Sequence, residues 1–382
     1  MKKIFAKKNE IQVKALNSWK NSKYNSILAM CTGSGKSRCG VLAAKHVVKD
    51  NPKAKILLVV PTETLRDQNW LEEFEKWGAK GIYDKNLDRK CYVSISKIEK
   101  EKYDLVILDE THRITEKSSS FFDQNKVGKI LGLTATPPED DEKKDILYKK
   151  LKLKISFDYP LDTGVKDGVV APFKIKVIEL NLSKKRDFKV TTKTNKKGYI
   201  TSEQARYDSL TRVIQKMQYS GKPVPKFLYL NRMRFLYDLP SKTELAKKIK
   251  SSQFKKSDRF LIFCGSISQA NELCKYRYHS KTDDTDLNKL KTGKIKRLSC
   301  VKSLNEGENI PNLDSALIVQ LSSKKLDLIQ RLGRIIRVRE GHTATVYILS
   351  VLNTQDEKWT AKALEDFDPS SIEYINVKNL KL

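Results

Sequence analysis

Cysteine is sparse and scattered along the chain: six residues, with no Cys-x-x-Cys pair and no histidine cluster beside them. That leaves neither the ligand spacing of a structural zinc site nor the framework of a disulfide-rich domain, and it fits a reducing cytoplasm. Long apolar runs are missing too, so no segment reads as a membrane span. The basic N-terminus, Met1 to Lys8, lacks the apolar stretch of a secretory signal. Acidic residues are in deficit, 46 against 75 lysines and arginines, for a formal net charge of +29. Such an excess admits two readings: solvated lysines in a lysine-rich chain, or a surface that meets a polyanion, most simply nucleic acid. At 382 residues there is room for two domains with sizeable cores.

Against these absences one stretch stands out, Cys31-Thr32-Gly33-Ser34-Gly35-Lys36-Ser37. The apolar run Ile27–Met30 precedes it, and a helix-like run with Val41, Leu42, Ala44, Val47 and Val48 follows. Glycines let successive backbone N–H groups turn toward one anion, and the helix N-terminus adds positive potential there. In such a loop Lys36 reaches the outer phosphates and the Ser37 hydroxyl holds Mg2+. Met30 occupies the place of the first glycine in the general pattern, while the Thr-Gly-Ser-Gly-Lys-Ser core is intact.

Upstream, Asn9 to Gln12 opens a helix with Val13, Leu16 and Trp19 on its apolar side. Gln12 is either an exposed helix glutamine or a reader of an adenine edge. Downstream, Lys55–Val60 reads as a buried parallel strand ending at Pro61-Thr62. Thr62 suits a backbone phosphate of nucleic acid or a plain helix cap. The helix after it turns Leu65, Leu71, Phe74 and Trp77 inward and stops at Gly78. Cys91–Ile95 reads as a short strand. Tyr103–Leu108 runs apolar into Asp109-Glu110-Thr111-His112. Two carboxylates at the carboxyl end of a buried strand are costly unless a cation meets them. Asp109 is therefore assigned to Mg2+ through water, and Glu110 to orienting and deprotonating an attacking water. The strand is expected beside the loop's own strand. His112 is read as a coupling residue, not a metal ligand. A further strand, Lys129–Leu133, ends in Thr134-Ala135-Thr136-Pro137.

From Tyr159 to Ser257 the pattern changes. Phe173, Ile175 and Val177 alternate with more polar residues, as in a strand with one exposed face that belongs to neither sheet. Lysines then crowd around Asn195–Gly198, among them Lys189, Lys193, Lys196 and Lys197. Lys189–Thr201 is expected as a hairpin with that turn at its tip, either a solvated surface loop or an element that guides nucleic acid. Strand–helix alternation resumes at Arg259–Cys264, with later strands at Lys296–Val301, Ala316–Leu321 and Ala344–Val351. Near the end, Gln330-Arg331-Leu332-Gly333-Arg334-Ile335-Ile336-Arg337 sets two arginines three apart on one helix side. They are either a solvated turn or planar forks for phosphate oxygens.

Taken together and in order, Thr32–Ser37, Pro61-Thr62, Asp109–His112, Gly132–Pro137, Glu306-Gly307 with Ile310-Pro311, and Gln330–Arg337 resemble the motifs of the superfamily 2 helicases. The resemblance covers nearly the whole chain and leans toward the Rad25-like, UvsW-like and type III restriction-subunit branch. It implies an α/β fold of two RecA-like domains, each a parallel sheet flanked by helices, with ATP and Mg2+ in the cleft between them. By position, Arg334 and Arg337 correspond to arginine fingers, Gln330 to a contact near the γ-phosphate and Gly307 to the coupling loop. Thr134 and Thr136 correspond to the link between hydrolysis and domain motion, and Gln12 to the adenine reader. Asn309 stands where an Asp is frequent. The expected division is 1–158 for the ATP-binding domain and 159–257 for a basic bridging region. The second RecA-like domain then covers 258–355, and 356–382 forms a helical extension. No nuclease, methyltransferase or zinc module is seen, a minimal build similar to compact phage helicases. The leading function is an ATP-dependent DNA helicase or translocase, monomeric and cytoplasmic, acting on single-stranded or branched DNA. An RNA-dependent ATPase and a nucleotide-gated nucleic-acid clamp are the alternatives.

Overall fold

A computed structural model describes residues 2–380 except 192–196, 222, 302–303, 305–309, 311–312, 322–327, 329–330, 333–342 and 366. The chain divides into two compact units, one built on Met1–Pro172 and one beginning at Phe173.

In the first unit the short apolar runs become β1 (Asn25–Met30), β2 (Ile56–Val60), β3 (Leu87–Cys91), β4 (Lys102–Asp109), β5 (Lys126–Thr134) and β6 (Lys154–Tyr159). They form one sheet in the order β3-β2-β4-β5-β1-β6, with every pairing parallel. All five residues of β2 are buried, as a strand covered by helices on both faces requires. Helix α1 (Lys2–Asn21) lays Ile11, Ala15 and Trp19 on the sheet at four-residue spacing, and the Trp19 indole N–H donates to the Ile130 carbonyl at 2.9 Å. Of the residues expected on the inner face, Trp19 is buried, Leu16 is half-buried and Val13 is 45% exposed. Helix α2 (Lys36–Asp50) buries Cys39, Val41, Ala43, Ala44 and Val47. In α3 (Trp70–Lys76) the buried residues are Trp70 and Phe74, whereas Leu65, Leu71 and Trp77 are half-buried. Residues Tyr92–Ile95, expected as strand, form a helical turn just after β3 ends.

The second unit holds β7 (Phe173–Leu180), β8 (Phe188–Val190), β9 (Tyr199–Thr201), β10 (Phe260–Phe263) and β11 (Arg277–Tyr278), then β12 (Arg297–Cys300), β13 (Ser315–Ile318), β14 (Ala344–Val351) and β15 (Ile372–Asn376). Seven of these make a second parallel sheet, β11-β12-β10-β13-β14-β7-β15. Here the structure corrects the reading of Phe173–Leu180. That strand lies between β14 and β15 inside the sheet, not apart from it. Its polar alternation arises near the sheet edge, where one face stays wet and Lys176 meets Glu373 of the outer strand at 3.7 Å. The tail expected to be helical supplies that outer strand after the helix Gln355–Leu364. Helix Pro240–Ser252 presses Leu245, Ala246 and Ile249 into the same core as Phe260, Ile262, Leu317 and Leu349. The hairpin is present, β8 pairing antiparallel with β9 from Phe188↔Thr201 to Val190↔Tyr199.

Candidate nucleotide site

Three strand ends of the first unit converge on the site. β1 delivers the glycine loop, β4 delivers Asp109, and β5 delivers Thr134. The loop strand and the acidic strand are not adjacent as expected, because β5 runs between them. Two strand spacings, about 10 Å, therefore separate the loop strand from the acidic strand.

The loop's geometry depends on Gly33 (φ 84°) and Gly35 (φ 97°), in the left-handed region that L side chains avoid. At Gly35 space is a second constraint, since a Cβ there would lie 2.0 Å from Gln12 Nε2. Gln12 is 3% exposed and braces the loop from α1. Its Nε2 donates to the Ser34 carbonyl at 2.8 Å, and its Oε1 accepts from the Arg38 guanidinium. Arg38 also donates to Asn9 at 2.9 Å and lies 4.1 Å from the Trp77 ring. Ser34 is buried and donates to the Cys31 carbonyl at 2.6 Å. Lys36 Nζ rests on the Met30 carbonyl at 3.0 Å, and Ser37 is half-buried on the first turn of α2.

Asp109 is 6% exposed. Its Oδ2 accepts from the Trp70 indole at 2.8 Å and its Oδ1 from the Glu110 N–H at 3.0 Å, while Tyr92 donates to its carbonyl at 2.9 Å. Burial pushes the Asp109 carboxyl up to about 7, and the Glu110 carboxylate adds to the rise against the hydrogen bond from Trp70. Trp70 escaped the sequence reading. An indole in a helix reads as core, and its partner lies 39 residues away. Gly40 of α2 lets the indole sit this close, since a Cβ there would approach the ring to 2.6 Å.

Glu110 adopts φ 50°, a strained backbone for a side-chain-bearing residue. His112 Nδ1 lies 3.5 Å from Glu110 Oε2 and 3.2 Å from Thr134 Oγ1. Thr134 Oγ1 donates to the Thr136 carbonyl at 2.6 Å and accepts from the Thr136 N–H at 3.2 Å. With that hydroxyl proton committed, Nδ1 carries the imidazole proton. Burial holds the His112 pKa down at about 3, so the ring is neutral. The structure thus brings Glu110, His112, Thr134 and Thr136 into one chain of contacts.

Five buried polar atoms around this end of the sheet make no hydrogen bond: Thr32 Oγ1, Arg38 Nε, Glu110 Oε2, His112 Nε2 and Thr136 Oγ1. Each unmet buried group costs about 1–3 kcal/mol, so their concentration marks where a polar ligand belongs. Among the described residues no cluster of three or more His, Cys, Asp or Glu forms a metal cage. Mg2+ needs only one or two protein oxygens and completes its shell with phosphates and water.

Of the other candidates, Thr62 Oγ1 accepts from the Leu65 N–H at 3.3 Å, a cap. Lys189 and Lys197 are exposed. Gly307, Gln330, Arg334, Arg337, Lys193 and Lys196 lie outside the described residues.

Residues 5–139 match the family described as Type III restriction enzyme, res subunit, and residues 241–339 match the Helicase conserved C-terminal domain. The chain belongs to the superfamily 2 helicases. It is 26% identical over 383 residues to a viral protein named as a helicase, from Sulfolobus islandicus filamentous virus (isolate Iceland/Hveragerdi). That alignment covers 90% of this chain and spans 64% of the viral protein's length. It is 22% identical to the DNA 3'-5' translocase XPB2 of Sulfurisphaera tokodaii, over 89% of this chain and 81% of that one. Among solved structures, the Hef helicase domain of Pyrococcus furiosus superposes with a TM-score of 0.56 at 15% identity, covering 92% of this chain and 96% of that one. That last likeness concerns the fold. Among the described residues of this superfamily 2 chain, no helix is long and apolar enough to cross a membrane.

Proposed function

We propose that the chain is a nucleic-acid-stimulated ATPase that drives translocation along, or remodelling of, DNA. The observation that carries this reading is the cluster of unpartnered polar atoms between the glycine loop and the Glu110–His112–Thr134–Thr136 chain. Ser37 and Asp109 would hold Mg2+, which when bound neutralises charge on the phosphate oxygens. Lys36 exchanges the Met30 carbonyl for a phosphate oxygen. Glu110 aligns the attacking water and takes its proton, its Oε2 making no hydrogen bond and only the 3.5 Å contact with His112 Nδ1. His112 and Thr134 pass the state of the acidic pair to Thr136, in the bend just beyond β5. Gln12 fixes the loop from α1, and reading the adenine edge is the further role the family resemblance gives it.

The same resemblance supports hydrolysis between the two RecA-like domains, with Gln330, Arg334, Arg337 and Gly307 acting from the second. DNA as the track is supported by the name of the archaeal relative and by the charge of +29. The test is steady-state ATPase with single-stranded DNA, forked DNA, four-way junctions and RNA side by side. Turnover should rise several-fold with DNA. Glu110→Gln should abolish it while ATP binding persists, because the amide keeps the shape but takes no proton. Stimulation by RNA alone would move the assignment to an RNA-dependent ATPase, and unimpaired turnover in Glu110→Gln would remove the catalytic reading.

A further inference from the structure

Cations also gather at the opposite end of the second sheet. Where the family's motifs follow the carboxyl ends of strands, an open groove of about 590 Å³ lies at the amino ends of β10 and β12. Lys250, Lys256, Lys275, Lys294, Lys296 and Arg297 line it. Its one carboxylate, Glu272, is already bound by Lys247 at 2.6 Å, which also holds Glu244 at 2.9 Å. The groove therefore presents nearly uncompensated positive charge.

Two of the cations are held in place by the fold. Lys250 Nζ donates to the Leu273 carbonyl at 2.6 Å, and the Arg297 guanidinium lies 5.2 Å from the Phe260 ring. Lys256, Lys294 and Lys296 are exposed and have no ion pair among the described residues. Half-buried Tyr276 stands among them, with Lys275 and Lys289 at 5.8 and 6.0 Å from its ring. Like charges packed this closely repel unless a polyanion joins them. Cations spread along an open groove beside an aromatic ring match the chemistry of a phosphodiester strand: charge tracks the backbone and the ring accepts a base. The groove is open, whereas a single nucleotide is held in an enclosed pocket.

We propose that this groove is a second nucleic-acid contact, gripping the phosphodiester backbone of a strand beyond the motor's own track. The inference rests on the reading of the chain as a nucleic-acid motor. Four residues of β10 put the groove about 13 Å from the carboxyl ends of the strands, roughly four nucleotides at the B-form spacing, so a strand must run that far past the motor's own track to reach it, and the short probe is one that stops before it.

The experiment compares the full chain with K256Q/K275Q/K294Q/K296Q and with the matching set of arginine replacements. All four positions are exposed, so the fold should persist. Fluorescence anisotropy is read for a short and a long single-stranded DNA across a salt series, beside ATPase activity with the short strand. The glutamine variant should keep short-strand affinity and turnover. Its long-strand affinity should drop about five-fold per lost contact at 0.1 M salt, with a log–log slope shallower by roughly 0.7 per contact. The arginine set should behave as the parent. Unchanged long-strand affinity and slope in the glutamine variant would overturn the proposal. So would inorganic pyrophosphate binding that the glutamines abolish without any effect on long strands, which would mark a small-anion site. If the parent binds neither strand and neither raises its turnover, the motor reading itself fails and takes the groove with it.

Discussion

Asp109 and His112 stand three residues apart, yet their surroundings drive them in opposite directions. Burial and Glu110 raise Asp109 from 3.8 to about 7, and burial lowers His112 from 6.5 to about 3. Between about pH 4 and 6.5 the folded chain holds an extra proton at Asp109, so that group's contribution to stability falls as pH rises. Over the same window the unfolded chain holds the extra proton at His112, so that contribution rises with pH. The two offset each other, and single variants should separate them. Relative to the parent, Asp109→Asn should gain stability with rising pH and His112→Gln should lose it. Thermal midpoints from pH 4 to 7 without metal or nucleotide would show this, and parallel curves for all three proteins would contradict it. Trp70 is the residue that composition could not reveal, because its importance lies in one N–H and not in its apolar surface. Trp70→Phe keeps most of the ring volume but removes a bond to a carboxylate, a class of interaction contributing about 1.5–3 kcal/mol. Turnover should fall about ten-fold or more with an altered Mg2+ requirement, and Trp70→His should recover part of it. Unchanged metal dependence would reduce Trp70 to packing.

At the level of elements, glycine loops and buried strands were legible because backbone geometry and burial restrict residue type directly. Gly35 could be read from its neighbours alone. Strand order could not, since local pattern says nothing of which strand pairs with which, and β5 enters between β1 and β4. The inner face of α1 was misjudged at Val13 for a related reason: several apolar residues compete, and only the sheet decides among Ile11, Val13 and Ala15. A second illegible feature is the buried knot joining helix Pro240–Ser252 to helix Gln355–Leu364. Lys242 and Asp356 are both fully buried and meet at 2.8 Å, with Gln320 bound to each at 2.7 and 2.8 Å. Arg331 donates to the Gln320 carbonyl at 3.0 Å, so the knot also anchors the start of the arginine-bearing stretch. Removing one partner of such a pair costs about 3–5 kcal/mol because it strands the other charge. Lys242→Met should lose that much in denaturant unfolding of the second unit, and adding Asp356→Asn should restore part of it. A double variant no more stable than the single would show that the charge itself is not the cost.

For the whole molecule, the motif order along the chain was enough to identify the superfamily, while the nucleic-acid surface was not, because lysines solvate as readily as they bind. The β8–β9 hairpin is the clearest case. Its body is small, and it leans on its neighbours through Phe188 against Phe235 at 5.5 Å and Arg206 to the Tyr199 hydroxyl at 3.2 Å. Replacing Lys189–Thr201 by a short Gly-Ser bridge should spare ATPase activity on single strands and reduce unwinding or branch migration sharply. Equal unwinding by both proteins would make the hairpin plain surface. The sheet order of the first unit also sets a timetable for synthesis. Among the described residues the strand carrying the glycine loop pairs with β5 and β6 alone, and the Cys31 N–H itself donates to the Tyr159 carbonyl at 2.8 Å. At the usual pace of translation roughly ten seconds pass between the making of that loop and the arrival of its last neighbour. Until then the ribosome holds a chain whose phosphate cradle has its sequence but not its frame, and a nascent chain halted before β5 should not retain ATP.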